Sequence, residues 1–84
     1  MKFEIKINSQ PLKFLKKCEN ELKDRIKSKL ILLESNPFFY LEHFEGESFY
    51  KLRIGEYRGL FEIDFEKNIL YLRVLEHRKK IYKK

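Results

Sequence analysis

Residues 3–7, FEIKI, alternate apolar and charged side chains, the period-two pattern of a strand with one buried face. The period then lengthens. Leu12, Leu15, Cys18, Leu22, Ile26, Leu30 and Leu33 recur every three or four residues and trace one apolar helical stripe, flanked by Lys13, Lys16, Lys17, Lys23, Lys27 and Lys29. Ser9 stands where it can cap this segment, with Pro11 in the first turn, where a missing N–H costs little. The stripe fits one long helix or two helices broken near Glu19-Asn20. Asn20 as a second N-cap, with Glu21 and Asp24 in the first turn, favours two. Asn36-Pro37 ends the helical region. An aromatic and acidic connector over 38–48 leads to three strand-like runs at 49–54, 57–64 and 69–76, joined by Gly55-Glu56 and by a turn at 65–68. With no repeat, low-complexity tract or linker, the order predicts one α+β domain spanning 1–84. It consists of a short N-terminal strand, two helices packed on one sheet face, and a three-stranded antiparallel meander.

Composition narrows the class. The 84 residues are 43% apolar and rich in Phe and Tyr, enough for one modest core despite 38% charged residues. No apolar run approaches the roughly eighteen residues of a membrane span, and MKFEIKIN lacks the apolar core of a signal peptide. The one cysteine, Cys18, falls on the apolar stripe and reads as a small core or boundary residue. These features fit a cytoplasmic protein. One Cys and two widely separated His lack metal-ligand spacing, and the three glycines form no nucleotide-binding motif, so neither metal nor cofactor is expected. Charge adds more. The formal net charge is +6, and the last eight residues, HRKKIYKK, hold five Lys and Arg and no acid, a basic pole suited to a polyanion.

Register sharpens this expectation. A two-residue Gly55-Glu56 turn with Gly first suits a type II′ hairpin, pairing Ile54 with Tyr57, Arg53 with Arg58 and Leu52 with Gly59. Tyr50, Leu52, Ile54, Tyr57, Gly59, Phe61 and Ile63 then share the face that meets the helices. Lys51, Arg53 and Arg58 share the other, with Arg53 directly opposite Arg58. Like charges so placed destabilise a sheet, and Glu62 and Asp64 lie too far along the strand to offset them readily. A solvated charged face is one reading; a phosphate held between the cations is the other, and the pattern favours it. His77, Arg78 and Tyr82, near the end of the last strand-like run, bring groups able to exchange a proton, fork onto a phosphate and stack on a base.

The run FYKLRIGEYRGLFEID, followed by ILYLRVLEHRKKIY, resembles the RelE/ParE toxin superfamily, especially archaeal RelE-like toxins; the order of elements matches along essentially the whole chain. The resemblance implies the microbial-RNase fold and a toxin of a type II toxin–antitoxin system, a ribosome-dependent endoribonuclease that cuts mRNA in the A site. The ribose 2′-hydroxyl attacks the adjacent phosphate without a metal. By position, the resemblance assigns catalytic roles to Lys51, Arg53, Arg58, Arg78 and Tyr82, with His77, Lys79 and Lys80 contacting substrate. Lys51 is the candidate base; Arg53 and Arg58 hold the phosphate; Arg78 or His77 acts near the leaving oxygen; Tyr82 orients the nucleotide. Implied partners are an acidic RelB-like antitoxin, joined in a hetero-oligomer, and the ribosome. The alternative is a ParE-like toxin that inhibits DNA gyrase by protein–protein contact, a branch that generally lacks this basic and tyrosine set.

Overall fold

The computed structural model describes residues 2–44 and 48–81. Strand β1 (Glu4–Ile7) is followed by helices α1 (Ser9–Lys17) and α2 (Asn20–Ser35). The chain does break into two helices, at Cys18, whose extended backbone (ψ 163°) stops α1 while its N–H still bonds to the Phe14 carbonyl. Both expected caps sit one residue late. Asn8 rather than Ser9 occupies the N-cap of α1, and Glu19 rather than Asn20 that of α2; neither side chain makes a capping bond. The cap is defined by backbone conformation, and in both helices the extended residue is the one before the side chain that the sequence pattern singled out.

Asn36-Pro37 ends α2 but does not begin a plain connector. Pro37 opens a single turn of helix, α3 (Pro37–Tyr40), because a proline in the first turn sacrifices no helical bond. Glu42–His43 then forms β2, a two-residue strand that the sequence pattern did not reveal. The meander follows as β3 (Tyr50–Ile54), β4 (Tyr57–Asp64) and β5 (Ile69–His77), and one turn of helix, α4 (Arg78–Ile81), closes the described chain. The sheet has five strands in the order β1-β5-β4-β3-β2, with β1 parallel to β5 and the other pairs antiparallel. The meander is thus extended at one edge by the N-terminal strand and at the other by β2.

The expected hairpin register is the observed one: Ile54 faces Tyr57, Arg53 faces Arg58 and Leu52 faces Gly59. Gly55 has φ of 59°, and Asn68 is the one non-glycine with positive φ among the described residues, so positive φ falls at the first turn position and not at Glu56, as type II′ requires. The helix-side face is buried as expected. Leu52, Ile54 and Phe61 are each 1% exposed or less and pack with Leu15, Ile26, Leu30 and Leu33 from the helices. Among the described residues no helix is long and apolar enough to cross a membrane.

One irregularity decides what the last strand presents. Leu60 pairs with Val74, but Phe61 pairs with Leu72, so Arg73 is an extra residue, a β-bulge. Without it Leu70, Leu72, Val74 and Glu76 would share a face; with it Leu70, Leu72 and Leu75 are all buried, each at 1% exposure or less. Glu76 thereby joins the outward face opposite Arg58, and His77 turns to the helix side opposite Tyr57.

Candidate functional site

The outward face at the hairpin end holds the predicted cations. Arg53 and Arg58 are direct cross-strand partners, and Lys51, paired with Leu60, lies two residues along on the same face. Arg78 joins them from the start of α4. Its N–H donates to the Glu56 carbonyl (2.8 Å) and its Nε meets the Glu56 carboxylate at 2.7 Å, so the turn between β3 and β4 anchors it. The structure therefore gathers Lys51, Arg53, Arg58 and Arg78 around one end of the sheet.

Arg58 is the most constrained of the set. Its Nη1 donates to the carbonyls of Gly55 (2.7 Å) and Tyr57 (2.8 Å), folding the guanidinium back over the turn. Its Nε is buried with no hydrogen-bond partner among the described residues. An unsatisfied buried donor costs on the order of 1–3 kcal/mol, which two short charge-assisted bonds can offset. The result is a cation whose position is set before any ligand arrives.

The sequence suggested cations without acidic partners, and here the structure corrects it. Arg53 Nε lies 3.4 Å from Glu42 on β2, and Glu56 and Glu76 also stand at this end of the sheet. Glu42 was hidden in a stretch read as connector, and Glu76 reaches the outward face only through the bulge. Glu62 and Asp64 are engaged elsewhere, as anticipated: Glu62 accepts from Arg73 Nε at 2.7 Å, and Asp64 accepts the N–H groups of Glu66 and Lys67. The Arg53–Glu42 pair leaves both side chains more than half exposed (63% and 52%). Exposed pairs of this kind contribute about 0–1 kcal/mol, so an anionic ligand can compete with them.

Other predicted residues are distributed differently. Lys51 Nζ rests over the Phe44 ring, 5.6 Å from its centroid. His77 is not beside the cations: its ring packs edge-on against Tyr57 (5.4 Å), and its Nδ1 accepts the Lys79 N–H at 3.2 Å. Lys79 is exposed, and Lys80 lies 4.0 Å from Glu76. Tyr82 lies outside the described residues. No three His, Cys, Asp or Glu side chains gather as a metal site among the described residues.

This architecture, an α+β sheet with a cationic hairpin end, defines the class to which the chain is structurally similar. Its fold is that of the RelE toxins. It aligns with a chain of the archaeal RelE–RelB complex of Pyrococcus horikoshii OT3 (TM-score 0.80, 22% identity, 93% of this chain and 97% of that one). It aligns also with a chain of the intact E. coli RelBE toxin–antitoxin complex (0.74, 20% identity, 89% and 95%) and of the RelB–RelE antitoxin–toxin complex of Methanococcus jannaschii (0.70, 23% identity, 92% and 94%). No family model and no curated protein matches the sequence.

Proposed function

We propose that the chain is the toxin of a toxin–antitoxin pair and acts as a ribosome-dependent mRNA endoribonuclease. The observation that carries this reading is the gathering of Lys51, Arg53, Arg58 and Arg78 at one end of a RelE-type sheet. Transesterification within RNA demands little covalent chemistry from the protein. The 2′-hydroxyl loses a proton and attacks the adjacent phosphorus, the bond to the 5′-oxygen breaks, and a 2′,3′-cyclic phosphate remains. Charge builds on the phosphate oxygens during this step, and pre-placed cations lower its cost.

In this reading Arg58 and Arg53 hold the phosphate, with Arg58 already fixed by the turn and Arg53 exchanging Glu42 for substrate. Lys51, on the same face, is the candidate to accept the 2′-hydroxyl proton. Arg78 serves the leaving oxygen; between the two residues proposed for that role, the orientation of His77 toward Tyr57 favours Arg78. Lys79 and Lys80 add charge along the backbone path, and Tyr82 orients the nucleotide. The partner is an acidic RelB-like antitoxin, because a neutralising surface must cover these cations, and the two form a hetero-oligomer. The work is done on the ribosome, hence in the cytoplasm. Gyrase inhibition has no comparable support, since the structural matches above are to RelE.

The test is cell-free translation with the purified chain and mapping of cut sites on the message. A-site cuts that fall about 10²- to 10³-fold in rate for Arg58→Ala, the scale seen when one charge-stabilising donor is removed, support the proposal. Intact message with arrested supercoiling of plasmid DNA would refute it.

A further inference from the structure

Beyond the four cations gathered at the hairpin end, Lys51, Arg53, Arg58 and Arg78, a fifth stands at the same turn. Arg25 lies on α2, on the opposite side of the sheet from Lys51, Arg53 and Arg58, yet its guanidinium reaches the hairpin end. A methyl group built on Gly55 would come within 3.0 Å of Arg25 Nη1. The Gly55 carbonyl is also the acceptor for Arg58 Nη1, so the two guanidinium groups approach one glycine from the two sides of the hairpin. Their electrostatic states differ. Arg53 has Glu42, Arg78 has Glu56, and Arg58 has two carbonyls. Arg25 is exposed and has no ion-pair or hydrogen-bond partner among the described residues. An uncompensated guanidinium beside a cluster already dense in positive charge raises the local potential without any stabilising return within the chain. Such an arrangement is explained by an anion outside it.

We infer that Arg25 is a phosphate-binding residue that grips the RNA backbone one or more nucleotides away from the phosphate held at Arg53 and Arg58, so that the strand crosses the tip of the β3–β4 hairpin. This inference rests on the proposed function and extends its site onto α2. It also gives Gly55 a second constraint besides its positive φ, since a side chain there would displace Arg25.

The experiment measures binding of the full chain to a ten-nucleotide, fluorescein-labelled, 2′-O-methylated single-stranded RNA by anisotropy across salt concentrations. Methylation removes the attacking hydroxyl, so binding is read without cleavage. Arg25→Gln is expected to weaken binding about 5- to 10-fold at low salt and to lower the slope of log affinity against log salt by about 0.7, the value of one phosphate contact on a single strand. Arg25→Lys should recover most of both. Lys67→Gln, which removes one charge at the distant β4–β5 turn, controls for net charge and should change the slope by much less. If Arg25→Gln matches the parent chain, or matches Lys67→Gln, while Arg58→Gln loses affinity, the assignment of Arg25 is overturned and the proposed function stands. If the parent chain shows no salt-dependent binding to this RNA, the assignment of Arg25 is overturned, while the proposed function, which acts on the ribosome, is decided by the cell-free translation assay. Circular dichroism of each variant verifies that it is folded; Arg25 makes no internal bond, so its loss leaves the fold intact.

Discussion

Gly55 shows how much one residue can be asked to do. Its φ of 59° closes the hairpin, its carbonyl holds Arg58, and its lack of a side chain admits Arg25. A left-handed conformation at a residue with a Cβ costs on the order of 1–3 kcal/mol. Gly55→Ala is therefore expected to lower stability by about that amount, read as a reduced urea midpoint with an unchanged slope. The same substitution should weaken RNA binding in excess of the stability loss, because Arg25 must move. The glycine and its turn type were legible in the sequence, since a two-residue loop between alternating segments admits few geometries. The contact with Arg25 was not, because thirty positions of chain separate the two residues and no local pattern links them.

Among the elements, β5 is the one whose far edge is incompletely covered by β1. Parallel pairing with β1 runs only from Ile69 to Leu72, and the Asn8 N–H makes the last bond to the Leu72 carbonyl. Beyond it the Gln10 side chain takes over: its Nε2 donates to the Leu75 carbonyl (3.1 Å) and its Oε1 accepts the Leu75 N–H (2.9 Å). One amide side chain thus supplies the donor and acceptor that a longer strand would have provided. Leu75 is fully buried, so removing both partners leaves backbone groups unsatisfied at about 1–3 kcal/mol. Gln10→Ala is expected to destabilise by that amount and to speed exchange of the Leu75 amide ahead of Leu70, measured by hydrogen exchange. The helix and strand periods were readable at this scale. The bulge at Arg73 was not, because the spacing of Leu70, Leu72 and Leu75 matches neither a regular strand nor a helix.

For the molecule as a whole, the sheet separates two unlike ends. Arg25, Arg53, Arg58 and Arg78 gather at the β3–β4 turn. At the other end Phe38 bridges Phe3, Tyr50 and Phe65, its ring stacked on Phe65 at 5.9 Å, while Phe38 and Phe65 remain 50% and 59% exposed. Between them lies a core centred on Phe61, which is fully buried and contacts both the helices and the neighbouring strands. Truncating such a residue usually costs about 3–5 kcal/mol, a large share of the 5–15 kcal/mol that holds a small domain together. Phe61→Ala is expected to leave the chain largely unfolded near 37 °C by thermal melting and to abolish RNA binding with it. Arg25→Gln and Arg58→Gln, by contrast, should impair binding while the chain stays folded.

What the sequence determined by itself were the properties carried by local periodicity: one strand, two helices, a meander, the Gly55-Glu56 turn, and the placing of Arg53 opposite Arg58. These follow from side-chain alternation and turn geometry, which act over a few residues. The tertiary structure alone decided which carboxylates stand among the cations, which way Glu76 and His77 face, and that Arg25 meets the hairpin. A single bulge reverses every side chain after it, and α2 meets a turn thirty residues away only because the core brings helix and sheet together.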